Sequence, residues 1–279
     1  MHEILISSGS DLPVRKTPRH VKRPAVNQPI RKLSIIVPCY NEAGTIALIL
    51  DKVTETILIN DIEKEIIVVN DCSKDDTDLI IREYMEDNPE APIRYFAHNV
   101  NQGKGSSVHT GLREATGDYV LIQDADLEYD PKEYNLLLEP ILTGHADIVY
   151  GSRFMGGHPH RILFFWHTLG NKLLTFTSNV FTNMNLTDAH TCYKLMRTST
   201  IRNIPLLEKR FSFDAELNVK ISHIPKIRIY EVGISYYGRT FAEGKKIRLR
   251  DAFRSLYCLI KYSFFHHQQQ SAKATSVTA

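Results

Sequence analysis

The chain is poor in cysteine and has no long apolar run. Its four cysteines, Cys39, Cys72, Cys192 and Cys258, lie far apart with no Cys-x-x-Cys pair. That argues against a clustered-cysteine zinc site or a disulfide framework and fits a reducing, cytoplasmic compartment. No stretch reaches the roughly 18 apolar residues of a membrane span, so any membrane association must be peripheral or use a borrowed anchor. A net charge of +2 over 279 residues argues against a dedicated nucleic-acid binder. No Ser-His-Asp arrangement stands out. What is present is 43% apolar residues, enough for a substantial core.

The charge is unevenly placed. Arg15, Lys16, Arg19, Lys22, Arg23, Arg31 and Lys32 share residues 11–32 with four prolines and almost no periodicity. We read residues 1–32 as a disordered basic tail without the apolar core of a signal peptide. Its composition suits solubility or contact with anionic headgroups.

From residue 33 strand and helix signatures alternate. Short β-branched runs at 33–39, 65–69, 93–96, 119–122 and 147–150 predict buried strands. Between them, 43–58 (with Ile46, Ile49, Leu50, Val53 and Ile57 in phase), 75–86, 105–115 and 131–142 predict helices, with Ser73 placed to cap the second. This order implies a mostly parallel, Rossmann-like α/β sheet with helices on both faces. Ligands of such sheets bind outside the carboxyl ends of the strands. Polar residues follow four strands there: Tyr40-Asn41-Glu42, Asn70-Asp71, Asp124 with Asp126, and Ser152-Arg153.

The strand at 119–122 empties into Asp124, Asp126 and Glu128. Three acids spaced two apart repel one another and resist desolvation, so they are a poor choice for stability. They suit a hard divalent cation that keeps positions open for phosphate. Asp130 before Pro131 reads differently, as an N-cap with proline at the first helical position. Lys104 sits between Gly103 and Gly105, which would let the backbone approach a ligand and offer the ammonium to a phosphate; a solvated turn is the other reading. Arg153 stands at a strand end on the same rim. Residues 161–184 are aromatic-rich and predict one or two amphipathic helices. Phe253, Leu256, Tyr257, Ile260 and Phe264 form a helical stripe over 251–265. Such a stripe is expected to face the core; the alternative is an interfacial helix with basic residues toward headgroups. Residues 266–279 read as a disordered tail.

Five segments together carry a resemblance: Ile36-Val37-Pro38-Cys39-Tyr40-Asn41-Glu42, Val69-Asn70-Asp71-Cys72-Ser73, Asn101-Gln102-Gly103-Lys104-Gly105, Asp124-Ala125-Asp126-Leu127-Glu128 and Gly151-Ser152-Arg153-Phe154. Over about residues 33–250 the chain resembles family 2 glycosyltransferases of the GT-A fold. It is most similar to their dolichyl- and undecaprenyl-phosphate branch. The resemblance implies that Pro38, Tyr40 and Glu42 line a nucleoside pocket and that Val69 and Asp71 hold the base edge. It implies that Asp124 and Asp126 bind Mg²⁺ or Mn²⁺, with the Ala125 main chain near the nucleotide. Glu128, where the family more usually has glutamine, would complete the shell. Arg239 and Lys245, in a basic glycine-containing segment, would meet the donor diphosphate and acceptor phosphate.

The implied reaction is inverting transfer of a sugar from a UDP- or GDP-sugar to a polyprenyl phosphate. A phosphomonoester has a second pKa of about 6 and is largely anionic at neutral pH, which relaxes the need for a general base. The chain's task is then to bring two anions together, with Asp124, Asp126, Arg153, Arg239 and Lys245 as the catalytic set. A hydroxyl acceptor would need a base, for which Asp188 and Glu216 are the candidates. A reading of another class is a non-catalytic sugar-nucleotide-binding or membrane-scaffold protein; the intact Asp124 and Asp126 argue against it. An isoprenoid acceptor implies a place at the inner face of a membrane, on its surface or beside a membrane subunit.

Overall fold

The computed structural model describes residues 29–157, 161–162, 165–239 and 249–277. Most of the basic tail and Lys245 lie outside the described residues. The strands are β1 (Lys32–Cys39), β2 (Glu63–Asn70), β3 (Ile93–Ala97), β4 (Tyr119–Ile122), β5 (Ile148–Ser152), β6 (Lys194–Arg197) and β7 (Ile229–Gly233). The helices are α1 (Ile46–Glu55), α2 (Thr77–Asp87), α3 (Lys104–Glu114), α4 (Tyr134–Leu142), α5 (Phe165–Thr182), α6 (Thr198–Arg202), α7 (Phe213–Ser222) and α8 (Leu249–Val277).

The strands form one sheet in the order β3-β2-β1-β4-β6-β5-β7. β1 pairs in parallel with β2 and β4, and β5 with β7. β6 runs antiparallel to both its neighbours, β4 and β5. The mostly parallel sheet expected from the alternation is therefore present. β6 and β7 are additions, because runs of four or five residues, one carrying Lys194 and Arg197 and the other Glu231, give little periodic signal.

β1 and β4 are buried along almost their whole length, as a strand covered on both faces must be. α1 turns Ile46, Ile49, Leu50 and Val53 onto the sheet, all fully buried. Each such side chain contributes roughly 1.5–3 kcal/mol of apolar burial. Ile57, expected on the same face, lies beyond the helix end and is exposed.

Three further expectations need correction. Ser73 does not cap α2. Its hydroxyl donates to Asn70 Oδ1 and accepts from the Asn41 amide, tying the ends of β1 and β2 together. Asp75 instead accepts from the Thr77 amide and hydroxyl. The stripe on α8 faces outward: Phe253, Tyr257, Ile260 and Phe264 are exposed, while Ser255, Cys258, Leu259 and Tyr262 face α7 and the rest of the domain. α8 also continues to Val277, where an unstructured tail from 266 was expected. Asp130, by contrast, caps its turn as expected, accepting from the Lys132 amide ahead of α4.

Candidate active site

The sheet's topological switch lies between β1 and β4, and the crevice beyond their carboxyl ends is where α/β sheets bind ligands. Gln123 sets the exit of β4. Its buried Oε1 accepts from the hydroxyls of Tyr134 (2.7 Å) and Tyr193 (2.6 Å), and its Nε2 donates to the Asp124 carbonyl (2.9 Å). The following acids are thus hung from a fixed point. Gln123 is not among the site residues expected from the sequence, although a glutamine closing an apolar strand is itself a signal of a satisfied buried network.

Asn41, Cys72 and Leu127 take left-handed backbone conformations at three loops of this rim. Each costs about 1–3 kcal/mol and persists only where the surroundings fix it, as at a binding site. Leu127 turns the chain between Asp126 and Glu128, so the three acids go separate ways.

Asp124 meets Lys104 at 2.5 Å. Burial opposes ionisation of this carboxyl, but the Lys104 ammonium outweighs it and holds the carboxyl below its usual range. The Cys192 thiol lies 3.6 Å from the same ammonium, and burial pushes its pKa up. Asp126 meets Arg239 at 2.6 Å. Even so its pKa is pushed up to about 7, first by burial and then by the charges of Asp124 and Glu128, with Glu42 adding to them. Arg239 also reaches Glu42 at 3.2 Å, bridging the ends of β1 and β4. Thr45 adds a second bridge, donating to the Ala125 carbonyl at 2.7 Å.

Glu128 is engaged on both oxygens. One accepts from the Tyr236 hydroxyl (2.8 Å) and the other from the Arg239 amide (2.6 Å). It therefore anchors the segment that delivers Arg239. Among the described residues, no three His, Cys, Asp or Glu side chains converge as a ready-made cation site.

Pro38 and Val69 are buried partners in the β1–β2 register. Tyr40 and Glu42 follow them at the rim, half-buried. Asp71 is buried, and its carboxylate accepts from the Gln102 amide (2.9 Å), the Gly103 amide (2.6 Å) and His98 Nδ1 (2.8 Å). Its visible work is to fold the 98–103 loop against β2. Gly103 and Gly105 admit the chain itself: a Cβ on Gly105 would lie 2.6 Å from the Glu208 carbonyl oxygen. Lys104 is thus neither on an open turn nor on a backbone left clear for a ligand.

Arg153 forms a bidentate pair with the fully buried Asp188, at 2.6 and 2.8 Å. Burial disfavours the Asp188 charge, and Arg153 more than compensates, holding its pKa down. The guanidinium also lies 5.1 Å from the Tyr236 ring centre. Glu216 is buried too, accepting from the Leu207 and Glu208 amides and from Lys220. Both candidate bases are thus committed to structural partners. Beside Arg153 lies a cavity of about 210 Å³ lined by Arg153, Phe154, Arg161, Ile162, Thr168, Asn171 and Tyr236. Its wall includes Thr168 and Asn171 of α5 and Tyr236, whose hydroxyl donates to Glu128.

This mostly parallel sheet, with acids and cations gathered at its switch point, shares the GT-A architecture of its structural neighbours. The glycosyl transferase family 2 model matches residues 34–204, and the chain belongs to that family. Dolichol-phosphate mannosyltransferase of Pyrococcus furiosus is 25% identical over 234 residues, covering 83% of this chain and 64% of that protein. Dolichyl-phosphate beta-glucosyltransferase of Dictyostelium discoideum is 29% identical over 234 residues, covering 77% and 68%. Undecaprenyl-phosphate 4-deoxy-4-formamido-L-arabinose transferase of Yersinia pestis is 31% identical over 125 residues, covering 45% and 38%. The chain thus spans less than two thirds of the Pyrococcus and Yersinia proteins. Among solved structures, glucosyl-3-phosphoglycerate synthase from Mycobacterium tuberculosis with Mn²⁺, UDP and phosphoglyceric acid superposes with a TM-score of 0.63 at 17% identity, over 84% of this chain and 78% of that one. The same enzyme with Mg²⁺ and UDP gives 0.62 at 18% identity, over 84% and 79%.

Proposed function

We propose that this protein transfers a sugar, with inversion, from a nucleotide-sugar donor to a polyprenyl phosphate. The observation that carries the reading is the pairing of two sites. An acid crevice at the switch point adjoins a cavity holding Arg153 and Arg161, which opens at the start of an outward-facing apolar helix. Two guanidiniums with threonine and asparagine side chains suit a phosphate monoester. Phe165, Trp166, Leu169, Leu173, Phe176 and Val180 recur three or four residues apart, with Trp166 beside the stripe, along α5; all are exposed, Trp166 at 76%. With the outward stripe of α8 they form a surface suited to lying in a membrane interface. No helix among the described residues is long and apolar enough to cross a membrane.

The donor would enter between β1 and β4, with Tyr40 and Glu42 toward its nucleoside. The oxygen-only donor set and the excess negative charge that raises Asp126 fit Mg²⁺ or Mn²⁺, held by Asp126 and Asp124. Donor oxygens and water would supply the remaining ligands, since the described residues alone do not close the shell. Such a cation, when bound, stabilises charge on the departing nucleoside diphosphate. Lys104 holds Asp124 ionised. Arg239 neutralises Asp126 and Glu42 and is placed to exchange those carboxylates for phosphate oxygens. Arg153, locked by Asp188, presents a fixed positive face to the acceptor. No general base is required of Asp188 or Glu216, in keeping with their burial.

The test is release of nucleoside diphosphate from a panel of UDP- and GDP-sugars, with and without undecaprenyl or dolichyl phosphate in detergent. Release that needs lipid and one donor, and disappears in Asp126→Ala, supports the reading. Release indifferent to the lipid points to a soluble acceptor. Tight nucleotide binding without release would indicate a non-catalytic protein.

A further inference from the structure

Lys104 reaches Asp124 from the first turn of α3. The turn rests on residues 208–210. An added Cβ on Gly103 would lie 2.7 Å from both the Lys209 carbonyl oxygen and Arg210 Cγ, and one on Gly105 would lie 2.6 Å from the Glu208 carbonyl oxygen. The Ser106 amide is shared between the Lys209 carbonyl and the Gly103 carbonyl of its own turn, each at 2.9 Å. The two glycines thus let a second backbone lie against the first, and Lys104 projects from the seam.

The 207–210 segment is held from two sides. Glu216 of α7 accepts from the amides of Leu207 (2.9 Å) and Glu208 (2.7 Å). The Glu208 carboxylate, itself largely buried, accepts from α8: Arg254 at 3.0 Å, Tyr262 at 3.0 Å and Lys261 at 3.4 Å. Ser212 adds a fourth donor at 3.0 Å. Four donors on one carboxylate of a loop residue exceed what is needed to cap α7. Three of them fasten a non-periodic segment to a helix more than forty residues later in the chain.

We propose that Glu208 is a positioning residue for the transfer reaction. By clamping 207–210 to α8 it fixes the Gly103–Gly105 turn and so sets Lys104 against Asp124. The kinetic half of this proposal rests on the function proposed above; the mechanical half does not. α8 then has two duties on opposite faces. Its inner face reaches the acid crevice through Glu208, and its outer face is the exposed apolar stripe.

The test uses Glu208→Gln, which keeps the shape but removes the charge shared by Arg254 and Lys261. Arg254→Ala is the milder second variant, since Arg254 is largely exposed. Each is made in the wild-type and Lys104→Met backgrounds, with thermal denaturation to confirm folding. Two quantities are read: donor kcat/KM, and hydrogen exchange of the amides at 103–107. The proposal expects Glu208→Gln to lower kcat/KM about tenfold in the wild-type background and less than about twofold with Lys104→Met, the non-additivity of residues acting in one chain of contacts. It expects exchange at Ser106 to quicken by about tenfold or more, as local opening becomes easier. Equal losses in the two backgrounds would mark Glu208 as a general stabiliser and overturn the proposal. So would unchanged exchange at 103–107. If the wild type turned over no nucleotide-sugar, the function reading would fail, and the exchange measurement alone would still decide whether Glu208 governs the turn.

Discussion

Asp126 is held at a cost. Burial and the charges of Asp124, Glu128 and Glu42 raise its pKa from 3.8 to about 7, against the pull of Arg239. Between those values the folded chain binds more protons at this site than the unfolded chain does. Stability from this group is therefore greatest at low pH, falls as pH rises through about 4 to 7, and stays low above. The full interval is worth about 4 kcal/mol. Because the acids share the repulsion, about 2 kcal/mol is the expected share recovered by neutralising Asp126 alone. Asp126→Asn mimics the protonated carboxyl and leaves Arg239 its Glu42 and Glu128 partners at 3.2 and 3.7 Å. Without divalent cation, the variant should be more stable than wild type at pH 8 by about 2 kcal/mol, or several degrees in Tm. The difference should shrink toward pH 4. Urea denaturation at the two pH values measures it. Millimolar Mn²⁺ should raise wild-type stability at pH 8 and leave the variant nearly unmoved. A variant less stable than wild type at pH 8 would show instead that Asp126 and Arg239 form a net stabilising ion pair.

Other consequences follow from the same geometry. Gly105→Ala forces a Cβ to 2.6 Å from a backbone oxygen and should destabilise by about 1–3 kcal/mol in chemical denaturation. Arg153→Ala strands the fully buried Asp188 and should cost about 3–5 kcal/mol, whereas Arg153→Met with Asp188→Leu should cost much less. Trp166→Ser with Phe253→Ser should reduce co-sedimentation with anionic vesicles while leaving Tm within a few degrees, since both side chains are exposed in the free protein.

The rim was legible in the sequence because each strand is a continuous apolar run that stops abruptly at polar residues. Tyr40-Asn41-Glu42, Asp71, Asp124 and Asp126, and Arg153 do sit at strand ends on one edge of the sheet. Their partners were not legible, because pairing across the chain leaves no local trace. Nothing near Arg153 announces Asp188, and nothing in Gly103-Lys104-Gly105 says that its glycines admit residues 208–210. Glu128 reads as a third acid of a cluster, yet its oxygens hold Tyr236 and Arg239. The α8 stripe shows the opposite limit: period 3.6 reveals that a helix has an apolar face but not whether the domain covers it. Here the domain covers the opposite face through Cys258, Leu259 and Tyr262.

The most direct test follows the sugar itself. The protein is incubated with labelled donor, Mn²⁺ and polyprenyl phosphate, and the label is partitioned between organic and aqueous phases. Transfer to the polyprenyl phosphate should leave label in the organic phase as a glycosyl phosphoprenol whose anomeric carbon is inverted relative to the donor, with none formed by Asp126→Ala. Label that stays in a water-soluble glycoside, or a lipid product of retained configuration, would contradict it.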